Sequence, residues 1–442
     1  MPVASITLFN RYLFTCGILG ILANLFGFLR KSAKGLDIWQ IFQQLLCFFF
    51  DGSSFHLTRF DELKRDAGYA AALETTPNKL ASSHQIKRFF KSCGICCWAL
   101  FRLVLLRLFF WRLKRDLPQV IVICLDTMVM DNDEAEKRQG CRPTYKKVKG
   151  FHPLHFIWNG FIINALFRRG NANNNTGKQV IAELRRVVEG IRANYSRDVT
   201  IIVRLDAGFF DKDFFAACDD LGIGFVATGK LYDFVKKQVE GQPAAQWAQY
   251  QHKKQVWDYL EFGYRCDSWS KFYRAFYTVP RADASGQIQF DFARPENIIL
   301  TNLGVNPKAL MHLSTAEREH WCLPKTIIAC HHQRGADELP HRALKDFATE
   351  SLPFERFHPN ASFYYVMLIA FFMYEAFKRD VLKDVLPIES YPTTVRRLAV
   401  DFAAKVTYES RQFILKVTQA VRDRLKLDLL WQRCQNPIPI RC

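Results

Sequence analysis

The chain has 442 residues, 49% of them hydrophobic and 24% charged, which excludes wholesale disorder and leaves room for two or three domains. Its 61 basic and 43 acidic residues give a formal net charge of +18, which suggests a protein that binds a polyanion, with a solubilising surface charge as the other reading. The excess sits at the ends: residues 1–117 hold 16 Lys/Arg against 7 Asp/Glu, and residues 391–442 hold 10 against 4. Chemistry is therefore expected in the near-neutral middle.

Thirteen cysteines are scattered along the chain, and Cys47, Cys124 and Cys218 lie inside apolar runs, where a thiol acts as a small hydrophobe. An odd number, with no evident secretory signal, reads as reduced thiols in a cytoplasmic protein. Cys93-Gly-Ile-Cys96-Cys97 offers half of a zinc site, but no second Cys/His pair follows at suitable spacing.

Residues 1–117 read as helical. Residues 12–29 lack charge for nearly the length of a membrane span, yet contain three glycines and an asparagine. Residues 99–113 are interrupted by Arg102, Arg107 and Arg112, whose spacing scatters them around a helix and leaves no wholly apolar side for lipid. Both stretches are expected as helices of a soluble protein, with no membrane partner. Residues 80–91 predict a short helix opened by a serine cap and carrying Lys87, Arg88 and Lys91. It reads either as a recognition helix of helix-turn-helix type or as a solvated basic face.

From residue 118 the periodicity changes. Residues 120–125 form a continuous apolar run closed by Asp126, as in a strand buried on both faces. Residues 151–158 and 161–167 predict two strands joined by the hairpin signal Asn159-Gly160. Residues 178–194 carry helical spacing, a fourth strand ends at Asp206, a short helix starts from Asp211, and residues 222–228 make a fifth strand. The order β-β-β-α-β-α-β, with acids closing the first and fourth strands, is that of an RNase H-like domain. Residues 230–323 read as a β-rich insertion, with strands at 271–279, 287–292 and 297–301. Helices resume near 338, an aromatic-rich helix spans 360–382, and a basic helical tail follows 393. The predicted fold is thus α/β: an RNase H-like mixed sheet in two parts (118–229 and 324–384), the insertion, and helical ends at 1–117 and 385–442.

Three acids stand out in this frame: Asp126 and Asp206 at strand ends, and Glu338 from a later helix. A phosphodiester resists attack because it is anionic, and two Mg²⁺ ions can both activate a nucleophile and neutralise the leaving oxygen. Mg²⁺ keeps several waters, so two or three carboxylates suffice to hold it. On a continuous helix Arg334, Glu338 and Lys345 fall within a wedge of roughly 40°, and His331 widens it to about 60°. Pro340 is tolerated only in a first turn, which predicts a helix start close to Glu338, with Arg334 on the turn before it. Asp131, Asp133, Glu134, Asp211 and Asp213 read as solvated loop acids, and Asp337 would point away from Glu338. His152, His155 and His332 read as structural. Trp247, Trp257 and Trp269 are expected in core packing, with stacking on an unpaired base as the other reading.

The spacing Arg334-x3-Glu338-x6-Lys345 resembles the Tyr-x2-Arg-x3-Glu-x6-Lys signature of bacterial insertion-sequence transposases of the DDE class, in the cut-and-paste superfamily named after insertion sequence four. The segments Leu125-Asp-Thr-Met-Val, Arg168-Arg-Gly-Asn-Ala-Asn-Asn-Asn and Arg204-Leu-Asp-Ala-Gly-Phe-Phe-Asp are similar to those around the first two acids of that group. The resemblance covers about 118–380. It implies metal-dependent cleavage at transposon ends followed by strand transfer into target DNA. Asp126, Asp206 and Glu338 would hold two Mg²⁺ ions, with Mn²⁺ able to substitute. Arg334 and Lys345 would grip phosphate, while His331 replaces the signature's tyrosine. Lys87 and Arg88 would add DNA contacts. The implied partners are terminal inverted repeats and target duplex, bound by a homodimer at the bacterial nucleoid. The alternative is a catalytically silent, sequence-specific DNA-binding protein derived from such an enzyme.

Overall fold

The apolar run before Asp126 becomes the strand around which the rest of the sheet is ordered. In the computed structural model, residues 4–134, 137–172, 177–252, 255–281, 296–400, 404–409 and 412–440 are described. The main strands are β1 (Val120–Thr127), β2 (Leu154–Trp158), β3 (Phe161–Leu166), β4 (Thr200–Leu205), β5 (Gly224–Thr228), β6 (Ala248–His252), β7 (Gln255–Tyr264), β8 (Tyr273–Pro280) and β9 (Asn297–Thr301). They form one nine-stranded mixed sheet in the order β3-β2-β1-β4-β5-β9-β8-β7-β6. β1 pairs antiparallel with β2 and parallel with β4, and β4 pairs parallel with β5.

Alternation along β4 explains why such strands read as unbroken apolar runs. Ile201, Val203 and Leu205 face the large core, while Ile202 faces a second, smaller core on the other side. The β2–β3 turn falls on Asn159-Gly160, both with positive φ (47° and 81°), the backbone that a tight twisted hairpin requires.

The segment 230–323 does supply strands, but they do not stand apart. β9 pairs antiparallel with β5, so β6–β9 prolong the same sheet. Helices Asp233–Glu240 and Thr315–Cys322 also lie in this segment. The strand expected at 287–292 falls outside the described residues.

The first 117 residues are helical: α1 (Ala4–Thr15), α2 (Ile18–Phe26), α3 (Ile38–Asp51), α4 (Ser83–Ser92) and α5 (Ile95–Asp116), with shorter helices between. α1 and α2 meet at 66°, and among the described residues no single helix is long and apolar enough to cross a membrane. α6 (Gly177–Asn194) buries Val180, Leu184, Val187, Val188 and Ile191 as one stripe, as its spacing predicts. α7 (Pro324–His332), α8 (Arg334–Phe347) and α9 (Phe357–Asp380) follow the sheet strands in the chain.

α9 is buried nearly all round and packs on α3 and α5. It starts earlier than expected because Pro359 fits the first turn. Asn360 instead ties down the preceding loop, accepting from Phe354 N at 2.8 Å and donating to Phe354 O at 2.6 Å. Beyond 393 the expectation of a wholly helical tail is corrected. An antiparallel hairpin, Lys405–Glu409 with Gln412–Lys416, precedes two short helices. Val406, Thr407, Tyr408, Phe413 and Ile414 are β-branched or aromatic, and the first strand alternates apolar with polar residues, which favours strand.

Candidate functional site

Parallel register places the first two acids together. Leu125 pairs with Leu205, so Asp126, within β1, and Asp206, just past the end of β4, follow at neighbouring positions. Asp126 is the last but one residue of β1, and its Oδ1 accepts from Thr127 N at 2.7 Å. Asp206 caps the turn Ala207–Phe209, its Oδ1 accepting from Gly208 N at 2.8 Å. Burial pushes the Asp126 carboxyl up to about 7, and the charges of Asp206 and Glu338 push the same way, against the Thr127 amide and Arg334. The phenol of Tyr145 is raised by partial burial and then by Asp126, Asp206 and Glu338. Three anionic side chains therefore share one electrostatic neighbourhood.

The third acid is near but not engaged. Glu338 lies on α8, which rests against β1. Its carboxylate is exposed and reaches Arg342 at 3.8 Å, one helical turn on. Among the described residues no group of three or more His, Cys, Asp or Glu side chains is arranged to hold a metal ion. Asp126 and Asp206 nevertheless fit a hard cation: two carboxylates at neighbouring positions, one of them partly buried and made costly to ionise by desolvation and then by its acidic neighbours.

α8 departs from expectation at its start. α7 ends at His332 and Gln333 leads directly into α8 at Arg334, so Pro340 stands inside the helix. Arg334, Glu338 and Lys345 thus share one helix. Lys345 is exposed and pairs with Glu350 at 2.8 Å. Beneath α8 lies a hollow of about 980 Å³ whose lining includes Val120, Val122, Leu339, Pro340 and Ala343.

His331 is corrected. It belongs to α7, is 6% exposed, and its Nε2 meets Thr228 Oγ1 at 2.9 Å. Burial, with His332, Arg334 and Arg204 nearby, holds its imidazole well below the usual value, so it offers no cation to a phosphate. His331 and the α8 residues Arg334, Glu338 and Lys345 therefore do not share one helix. Lys87 and Arg88 lie on α4, whose inner face buries Ile86, Phe89 and Phe90. Ser82 caps this helix in a capping box with Gln85, and α5 follows at 97°. A groove beside it is lined by Lys87, Lys91, Ile95, Gln139 and Arg356 among others.

The competing acids have local roles. Asp133 accepts from Lys149 N at 3.0 Å, Asp131 accepts from Asp133 N at 2.9 Å, and Asp211 caps the helix Lys212–Asp220. Trp257 and Trp269 are buried and Trp247 packs edge-on to Tyr277, so all three serve packing. Sequence reading missed His341, whose Nδ1 stands 3.7 Å from Asp126 Oδ2. Its only signal was its place three residues after Glu338. It also missed Arg342 and Glu350, the partners of Glu338 and Lys345.

The description "Transposase DDE domain group 1" belongs to a family model that matches residues 6–436. Comparison with curated proteins returns no match. Among solved structures, a piggyBac transposase synaptic complex with hairpin DNA, determined by cryo-EM, is similar at 11% identity and a TM-score of 0.42, covering 98% of this chain and 82% of that one.

Proposed function

Because the chain belongs to the transposase DDE domain group 1 family, we propose that it is a metal-dependent DNA transposase whose site is built on Asp126, Asp206 and Glu338. The observation that carries this reading is the pairing of β1 with β4, which sets two carboxylates at neighbouring C-terminal strand ends in the interior of the sheet. The raised Asp126 carboxyl supports it, since a divalent cation would offset the desolvation that burial imposes and the repulsion from Asp206 and Glu338. Two such ions, when bound, would supply nucleophile activation and charge neutralisation. The fold is read as RNase H-like, with 230–323 inserted between the second and third acids.

In this reading Asp126 and Asp206 hold the cations, and Glu338 exchanges Arg342 for the site when DNA arrives. The hollow beneath α8 leaves room for that adjustment. Arg334 and Lys345, on the same helix as Glu338, grip phosphates on either side of the cut. Lys87 and Arg88 contact duplex farther out, and His331 is a packing residue. Water attacks phosphorus, the P–O3′ bond breaks and a 3′-hydroxyl is freed. That oxygen then attacks a target phosphate and displaces its bridging oxygen. The Arg-x3-Glu-x6-Lys spacing supports a place among insertion-sequence-four-like bacterial elements, with cut-and-paste chemistry by a homodimer at the nucleoid.

The test is nicking of the element's terminal repeats in Mg²⁺ or Mn²⁺. Metal-dependent cleavage supports the reading. Salt-sensitive binding without cleavage in either metal overturns it in favour of a silent DNA-binding protein, which the Glu338–Arg342 pairing would then suit.

A further inference from the structure

We propose that His341 is a positioning residue for Asp126, the outer member of a directed hydrogen-bond chain that begins at Tyr364. The inference rests on the reading of Asp126 as a metal ligand. His341 Nδ1 lies 3.7 Å from Asp126 Oδ2, and its Nε2 faces His155 Nδ1 at 2.8 Å. His155 Nε2 in turn meets the Tyr364 hydroxyl. α8, β2 and α9 each contribute one member, and all are buried: His155 and Tyr364 are 0% exposed and His341 is 8% exposed.

Proton accounting gives the chain a direction. Each link between two heteroatoms holds one proton. The Tyr364 hydroxyl is buried against His155, and a buried O–H aimed at no acceptor would be left desolvated and unpaired. Tyr364 therefore donates to His155 Nε2, which places the proton of neutral His155 on Nδ1. That N–H donates to His341 Nε2, and the His341 proton is left on Nδ1, facing Asp126 Oδ2. The other oxygen, Oδ1, already accepts from Thr127 N. The Thr127 N–H thus bonds one carboxylate oxygen, and the His341 N–H faces the other at 3.7 Å, an electrostatic contact longer than a hydrogen bond. Together they favour one plane for Asp126 and leave lone pairs for a cation. Outer partners of this kind set ligand orientation and basicity, and their loss typically costs about 10–100-fold in metal affinity.

Mn²⁺ binding to the full-length protein, followed by electron paramagnetic resonance beside thermal melts, tests this. His341→Phe should weaken Mn²⁺ binding by about 10–100-fold. His341→Asn, which retains an N–H near the Nδ1 position, should recover most of it. Tyr364→Phe removes one hydroxyl far from the metal and should raise the Kd severalfold without unfolding the protein. Cleavage lost at limiting Mn²⁺ should return at high Mn²⁺. Wild-type affinity in both His341→Phe and Tyr364→Phe overturns the inference and leaves the proposed function standing. A wild type that binds no Mn²⁺, with or without DNA, overturns both. Should His341→Phe fail to fold, Tyr364→Phe decides alone: unchanged affinity overturns the inference.

Discussion

Leu125 and Leu205 lie side by side in parallel register, so Asp126, still paired within β1, and Asp206, just past the end of β4, occupy neighbouring positions. Backbone hydrogen bonds, not a loop, set that spacing. Asp126→Asn or Asp206→Asn keeps the shape and removes the charge. Cleavage in Mn²⁺ should fall by roughly a thousandfold, equivalent to several kcal/mol of transition-state stabilisation. DNA affinity should change little. A nicking assay beside a binding titration separates the two, and a variant that nicks at the wild-type rate removes that aspartate from the site.

Lys345 is held by Glu350 at 2.8 Å, which competes with any phosphate for the ammonium. Glu350→Gln should therefore tighten DNA binding. Lys345→Ala should weaken it evenly across sequences and lower the slope of log K against log salt by about 1. Equal slopes for Lys345→Ala and wild type would place Lys345 off the DNA.

Asp380 ends α9 buried between Arg112 Nη1 at 2.7 Å and Arg115 Nη1 at 2.8 Å, and accepts from the Tyr12 hydroxyl at 2.7 Å. Removing the anion would leave two cations without it. Asp380→Ala should cost about 3 kcal/mol in chemical denaturation, because Arg115 loses its buried partner and Arg112 keeps only the partly exposed Asp116 at 3.0 Å. A loss below 1 kcal/mol would show that water reaches the cluster.

His332 packs against Trp257, with ring centroids 4.6 Å apart, and burial followed by the charge of His252 lowers its imidazole to about 4. The unfolded chain takes up this proton first as pH falls, near 6.5. Stability from the neutral ring is therefore present above about pH 6.5 and is lost progressively toward about pH 4. His332→Phe keeps a ring and removes the proton. Between those pH values its stability should fall less steeply than wild type, by at most about 1.4 kcal/mol per pH unit. Parallel curves would refute the assignment. The slope difference isolates His332 because His341, His155 and His331, also lowered by burial, are common to both proteins.

Much of the half that carries the first five strands was legible because its signals are local. The apolar runs before Asp126 and Asp206, the Asn159-Gly160 turn and the stripe on α6 each follow from nearest-neighbour chemistry. The helix carrying Arg334, Glu338 and Lys345 was legible as well, though its start was not. Proline weighs against an interior position, yet a helix held by its neighbours can include one. The tail was misread because a short alternating run weighs little beside a basic helical pattern.

Sequence alone determined which side chains end buried strands, and so which acids are held by the sheet. Pairing partners were decided only by the tertiary structure. Register between β1 and β4, the joining of β9 to β5, the burial of His331 on Thr228 and the meeting of His341 with Asp126 all link residues far apart in the chain. Such contacts depend on how whole faces pack and exclude water, and no local periodicity carries that information.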